Sequence, residues 1–364
     1  MSGGDITILT APEVRALLAG REMEVIAAVQ AAYEAHAAGA SALPHSSFLT
    51  FPEQAGNRII ALPAYLGQGF ELAGIKWIAS FPGNGAAGLE RASAVVIVNS
   101  ARTGRPEAIL EGSIISARRT AACAALAARH LHQEAVVTQV GLIGCGLINQ
   151  EIVRFLRVIF PGIRVLTVFD TFEGQARRFR ERCEERFPGV DVVLGRDVND
   201  VFENASLISL ATTAGEPHIH DLSSCAPGST LLHISLRDLA PQVMLSHDNI
   251  VDDADHVCRA ATSVHLAEQL IGHRRFIRCT LADITRGLAP ARVAADDIAI
   301  FSPFGLGVLD LAVSKLVLDQ ARAEGRGTIV RSFLPGRVSA RGYEEEGQEN
   351  QIPGRELIAG GARR

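Results

Sequence analysis

The apolar and polar positions of this chain change rhythm along its length. Residues 1–35 open on a short apolar run, ITIL, and continue as a helix. Val25, Ile26, Val29 and Tyr33 share one face of it, Thr10 is placed to cap it, and Pro12 falls in its first turn. Between 43 and 110 the runs RIIALPAYL, AGIKWIASF and SAVVIVNS read as strands separated by Gly, Pro and Asn. GRPEAIL reads as a further strand after a turn at Thr103-Gly104, and SARRTAACAALAARHL as a strong helix with Ser116 as its N-cap.

From Val136 strands and helices alternate. VVTQVGLIG, RVLTVFD, VDVVLG, LISLAT, TLLHIS and NIVDD are short apolar runs, with NQEIVRFLRVIF and FEGQARRFRERCEERF as helices between the first of them. That alternation predicts βαβ units and a parallel sheet. After Phe301, FGLGVLDLAVSKLVLDQARAEG reads as one long helix that returns to the first part of the chain. The tail from about Gly336, rich in Gly, Glu and Arg, is predicted to be flexible.

Composition narrows the partners. The chain has 364 residues, 48% hydrophobic and 21% charged, and a formal net charge of −5. That balance speaks against nucleic acid or an anionic membrane as the main partner. No apolar run reaches the ~18 residues of a membrane span, and the N-terminus has no leader pattern. The six cysteines are scattered singly, which predicts reduced thiols in a cytoplasmic protein and no structural zinc.

The segment Gly141-Leu-Ile-Gly144-Cys-Gly146-Leu-Ile-Asn149 follows a strand and opens a helix. Gly144 permits a tight turn, Gly146 lets backbone approach a pyrophosphate, and the free N–H groups of the helix start meet its charge. Asn149 replaces the third glycine of the fingerprint. The next strand ends in Asp170, whose carboxylate can accept from ribose hydroxyls and repels the extra phosphate of NADP, so the motif predicts NAD.

Other side chains stand out singly. Lys76 lies in an apolar strand, where a cation is expensive unless paired; it is a carboxylate anchor, a proton carrier, or a strand lysine whose head reaches water. Arg118 and Arg119, near a helix start, oppose its dipole and call for an anion such as a cofactor phosphate, or form a solvated basic turn. Asp238 follows the strand TLLHIS, on the side where such sheets hold their cofactor, and is either a general base or the cap of the next turn. Arg91 and Ser93 start a strand. His218 and His220 share a strand face, without a third metal ligand in view.

Taken together, GIKWIASFPGN, ERASAVVIVNS, LEGSIISARRTAA, GLIGCGLIN and SPFGLGVLDLA occur in an order that resembles the ornithine cyclodeaminase/μ-crystallin family, over about residues 5–330. The wording is nearest to its diaminopropionate-forming branch. The resemblance implies an α/β protein: a Rossmann dinucleotide-binding domain at 133–300, plus an α+β substrate-binding and dimerisation domain at 1–132 with 301–335. It implies a homodimer.

It also implies catalytic Lys76 and Asp238, with Lys76 holding substrate. Arg119, Gly144, Gly146, Leu147, Ile148, Asp170, Thr212, Thr213, Ile234 and Ser235 would lie around NAD. Thr50 stands where the family's carboxylate-binding arginine is expected, and Arg58 and Arg91 are the candidates to replace it in binding substrate. LAPQV replaces a Pro-Gly-Lys phrase of the cyclodeaminases, which speaks against ornithine cyclisation.

The implied activity is NAD-dependent oxidative hydrolysis of an amino-acid conjugate, N-(2-amino-2-carboxyethyl)-L-glutamate, to L-2,3-diaminopropionate and 2-oxoglutarate. That reaction would supply a siderophore or peptide-antibiotic pathway. The alternatives are cyclodeaminase or ketimine reductase chemistry, or a non-catalytic binder of the μ-crystallin kind.

Overall fold

In the computed structural model, which describes residues 4–54 and 56–335 with short pieces at 338–339 and 342–343, the chain opens with strand β1 (Ile6–Leu9). Thr10 then caps α1 (Ala11–Leu17), its amide donating to Glu13 Oε2 at 2.8 Å. The single helix expected here is two. Gly20 adopts φ +70°, a left-handed turn that ends the first helix, and α2 (Glu22–Ala37) starts afresh. There follow β2 (Ser41–Ala42), β3 (Ser47–Thr50), β4 (Arg58–Leu66), β5 (Leu72–Ser80), β6 (Ala92–Ser100), β7 (Pro106–Glu111) and α3 (Ser113–Leu131).

Ser116 is not the cap of α3. The helix begins three residues earlier because the Glu111 carboxylate accepts from the Ser113 and Ile114 amides at 2.7 and 3.1 Å. Ser116 is thereby left inside the helix and buried.

The second unit is β8 (Gln139–Ile143), α4 (Leu147–Ile159), β9 (Val165–Phe169), α5 (Glu173–Arg186), β10 (Asp191–Leu194), α6 (Val198–Asn204), β11 (Leu207–Leu210) and β12 (Thr230–His233). It continues through α7 (Pro241–Ser246), β13 (Asp248–Val251), α8 (Ala254–Val257), α9 (Ser263–Ile271), β14 (Ile277–Thr280), α10 (Leu281–Thr285) and β15 (Ala299–Ser302). Its strands pair in parallel in the order β10-β9-β8-β11-β12-β15-β13-β14. The predicted α/β fold is present, with two strands, β14 and β15, that the apolar runs did not mark. Phe301, expected at the start of the returning segment, lies inside β15 and is buried.

The chain then re-enters the first unit. Helix α11 (Gly307–Glu324) packs on α2, β4 and β5, and β16 (Thr328–Val330) pairs antiparallel to β1. The first sheet runs β16-β1-β7-β6-β5-β4-β2, with β3 also on β4. Its central strands alternate in the ordinary way. Lys76 stands opposite Leu62 and Val96, on the face that buries Val96, Val98, Ala108 and Leu110 under α3 and α11. Its neighbour Trp77 points the other way and is exposed, as are Val95 beside it and Leu49. The tail expected to be flexible, 336–364, falls almost wholly outside the described residues.

Candidate active site

Three charged groups meet at the buried face of the first sheet. Lys76, 2% exposed, donates from Nζ to Asp310 Oδ2 at 2.8 Å and to Ser116 Oγ at 3.2 Å. Arg119 donates from Nε to Asp310 Oδ1 at 3.1 Å. Asp310 sits in the first turn of α11, where the helix dipole favours an anion, and is fully buried. Burial, then the nearby Arg119 charge, pulls the Lys76 pKa down to about 8 against the raising effect of Asp310. An ammonium has three hydrogens, and two are used here, so one remains for a ligand. Arg119 also reaches the loop that joins β15 to α11: a Cβ on Gly305 would come within 2.6 Å of its Nη1. The Gly305 loop is held by Asp252, which accepts from the Phe304 and Gly305 amides at 2.9 and 2.7 Å. Burial raises the Asp252 pKa to about 6 despite those bonds.

Asp238 follows the C-terminal end of β12 and is fully buried. Thr212 Oγ1 donates to one carboxylate oxygen and Ser235 Oγ to the other. His233 Nε2 lies 3.4 Å from Oδ2, and the exposed-side His218 Nε2 is 3.8 Å from Oδ1. Burial alone would raise the Asp238 pKa; the His233, Ser235 and Thr212 partners outweigh it and lower the value. The result is a desolvated carboxylate kept ionised, with Thr212 fixed at 3.1 Å by the Ala214 amide and Ser235 at 3.0 Å by the Leu210 carbonyl. Ile234 continues β12 by donating its amide to the Leu210 carbonyl at 2.9 Å.

The glycine loop joins β8 to α4. Gly144 has φ +89°, and a Cβ there would stand 2.6 Å from the Ala211 carbonyl oxygen. A Cβ on Gly146 would meet nothing within 4 Å, so open space lies over the start of α4, where Leu147 is exposed and Ile148 partly buried. Asp170 accepts from the Cys145 amide at 2.8 Å and the Phe172 amide at 2.9 Å, which ties the loop to the end of β9. Asn149, in place of a third glycine, is buried. Its amide donates to the Ile143 and Gly144 carbonyls at 3.0 and 2.6 Å and accepts from Ser209 at 2.8 Å, so the substitution braces the loop.

The remaining candidates are more dispersed. Arg118 is not at the cofactor loop: it meets Glu22 and Glu151 at 3.3 and 2.9 Å, where α2, α3 and α4 pack. Thr213 is exposed, and His220 is exposed beside the bridge that Ile219 makes to Leu239. Arg58 lies opposite Ser80, and Arg91 Nη1 donates to Ser80 Oγ at 2.7 Å. A cleft of ≈ 250 Å³ between the two units is lined by His45, Phe48, Arg259, Ala260 and Phe304. Sequence reasoning missed Asp310, His233 and Asp252. The signal for Asp310 was available, since an acid inside the apolar helix run GVLDLAV needs a buried partner.

Comparison with known proteins agrees with this architecture. The chain is 28% identical over 315 residues to N-((2S)-2-amino-2-carboxyethyl)-L-glutamate dehydrogenase of Staphylococcus aureus, covering 84% of this chain and 92% of that one. An archaeal alanine dehydrogenase dimer solved with bound NAD is 26% identical, with a TM-score of 0.79, covering 90% of this chain and 99% of the other. The Thermococcus litoralis Δ1-pyrroline-2-carboxylate reductase, solved with NADH and L-proline, superposes with a TM-score of 0.82 at 23% identity, over 89% and 99% of the two chains. The family model described as ornithine cyclodeaminase/mu-crystallin matches residues 6–325, and this chain belongs to that family.

Proposed function

We propose that this protein is an NAD-dependent oxidoreductase that cleaves N-(2-amino-2-carboxyethyl)-L-glutamate oxidatively. Water, NAD⁺ and the conjugate would give 2-oxoglutarate, L-2,3-diaminopropionate, NADH and a proton. The observation that carries the reading is Asp238, a buried carboxylate held ionised at the C-terminal edge of a dinucleotide-type sheet. The named Staphylococcus aureus relative supports the substrate.

The loop residues fit NAD. The Gly144 turn, the open space at Gly146 and the N-terminus of α4 suit a pyrophosphate, and Asp170 at the end of β9 suits an unphosphorylated ribose. Thr212, Thr213, Ile234 and Ser235 would line the same side of the sheet. When bound, NAD supplies the hydride acceptor. Lys76 would hold a substrate carboxylate with its third hydrogen, supported by Arg119 through Asp310. Asp238 would take a proton from water and return it to the departing nitrogen, Thr212 and Ser235 fixing its orientation.

The direct test mixes purified protein, NAD⁺ and the glutamate conjugate and follows NADH absorbance. The expected result is NADH formed in step with 2-oxoglutarate. Proline and ammonia from ornithine, without net NADH, would instead make the protein a cyclodeaminase, and NAD binding without turnover would make it a binder.

The same reading includes a homodimer through the outward face of the first sheet. Leu49, Trp77 and Val95 are 47%, 41% and 40% exposed there, an apolar surface costly to leave in water. Light scattering is expected to give twice the chain mass for the native protein and a shift to monomer for Trp77→Glu. A native monomer would remove the dimer from the reading.

A further inference from the structure

The two buried arginines among the described residues face carboxylates, Arg118 meeting Glu22 and Glu151 and Arg119 meeting Asp310, and the half-buried Arg278 meets Asp248. Half-buried Arg58 and Arg237 and the exposed Arg91 behave differently. Arg58, Arg91 and Arg237 have no carboxylate within 4.0 Å among the described residues. Arg58 Nε is buried with no hydrogen-bond partner. Arg91 bonds to a neutral hydroxyl, Ser80 Oγ. Arg237 is held only by backbone, donating from Nε to the Ala261 carbonyl at 2.9 Å and from Nη2 to the Ala260 carbonyl.

The strand register places the first of them, and the other two approach its row from outside the strands. Thr50, Arg58 and Ser80 form one row across β3, β4 and β5, on the same face as Lys76. Arg58 is therefore the direct cross-strand neighbour of Thr50, the position where the resemblance led one to expect an arginine. Arg91 reaches the same row through Ser80. Arg237 comes from the second unit, one residue before Asp238, yet lies close enough to feel Arg58: desolvation first, and the Arg58 charge second, lowers the pKa of both Arg91 and Arg237. Ala260, whose carbonyl holds Arg237, also lines the cleft between the units, as does Phe48, which shares the face of Thr50 and Arg58. Three like charges drawn near one another beside the cleft, without a counter-ion, are unfavourable on their own, and an anion placed among them reverses the sign of that interaction.

We propose that Arg58, Arg91 and Arg237 form a second anion subsite that selects substrates with a distal carboxylate and draws the two units together over it. The row of Arg58 and Ser80 is four residues along β5 from Lys76, about 13 Å at roughly 3.3 Å per residue. Long side chains leaning in from both ends bracket a compact dicarboxylate, one carboxylate at Lys76 and the other at the arginines. Guanidinium groups suit the task because they stay charged and bind carboxylate in a two-point fork. The inference rests on the proposed reaction for the placement of the first carboxylate at Lys76, but not for the arginine cluster itself.

The test is calorimetric titration of the whole protein, with NADH present, against 2-oxoglutarate and 2-oxopentanoate, which has a methyl in place of the distal carboxylate. The native protein is expected to favour the dicarboxylate by about tenfold or more, the scale of one charge-assisted hydrogen bond. Arg58→Gln, Arg91→Gln and Arg237→Gln should each shrink that ratio several-fold while leaving 2-oxopentanoate binding in place, which also reports that the variant is folded. Equal affinities in the native protein, no binding of the dicarboxylate, or a ratio untouched by all three changes would overturn the subsite. Preference for the dicarboxylate with no NADH formed from the glutamate conjugate would sink the proposed reaction and leave the subsite standing.

Discussion

Replacing Lys76 by Met is expected to lower kcat/KM for the glutamate conjugate by about a thousandfold, within the ~10²–10⁴ range of a lost acid–base or charge-stabilising group. Methionine keeps the length and the apolar stem in a site that is 2% exposed, so packing is conserved. What disappears is the ammonium that touches Asp310 and Ser116, and with it the hydrogen proposed to hold substrate. Asp310 retains Arg119 at 3.1 Å, so the buried carboxylate is not stranded. NADH affinity, read by fluorescence titration, should stay within about threefold, because Lys76 belongs to the first sheet and the glycine loop to the second. A variant within tenfold of native kcat/KM would remove Lys76 from the reaction.

The same lysine sets a pH dependence. Its pKa is lowered to about 8, chiefly by burial. The protonated form is the one that holds a carboxylate, so kcat/KM of the native enzyme should be high below that value and fall as pH rises through it. A free-enzyme profile that rises through the same range would mean that the neutral amine is the working form.

Lys76 and Asp238 stand out in the sequence as candidates because each breaks a local rule: one is a cation inside an apolar strand, the other a carboxylate just past a strand end in an alternating sheet. Which groups they pair with could not be read there. Asp310 is 234 residues from Lys76, and Ser116 is 40 away; only the return of α11 onto the first sheet brings Asp310 there. Ser116 itself was misread because a side-chain acceptor outside the helix, Glu111, took over the capping and moved the helix start. Asn149 broke a glycine pattern for a reason visible only in three dimensions, since its amide spans two carbonyls and a serine. Strand β14 escaped because IRCT mixes polar with apolar residues and buries none of them fully, and β15 because AIFS runs on into the segment after Phe301. The arginine row across Thr50, Arg58 and Ser80 was legible only as a missing charge and two unplaced ones. Cross-strand register, which a single sequence does not give, puts Arg58, the proposed replacement, beside the gap.

Asp238→Asn is expected to cost about a thousandfold or more in kcat, with KM and NADH affinity changed by less than about threefold. The asparagine has the same shape, so the geometry at the end of β12 is conserved. One amide oxygen still accepts a hydroxyl, either Thr212 or Ser235. The other position becomes an NH₂ donor, and the hydroxyl facing it must turn its hydrogen away. Ser235 has somewhere to turn, because its Oγ already lies 3.0 Å from the Leu210 carbonyl; the NH₂ therefore faces Ser235, and the amide oxygen keeps accepting from Thr212 Oγ1. Folding is thus spared while the anion is lost. An amide does not take a proton from water at neutral pH, so the hydration and release of the amine would have no base. Rapid mixing separates the possibilities: if Asp238 acts on water and nitrogen, the variant should fail to release 2-oxoglutarate even where a first burst of NADH is seen. Steady release of 2-oxoglutarate at the native rate would assign the proton transfer elsewhere, with His218, 3.8 Å from the carboxylate, as the next group to change.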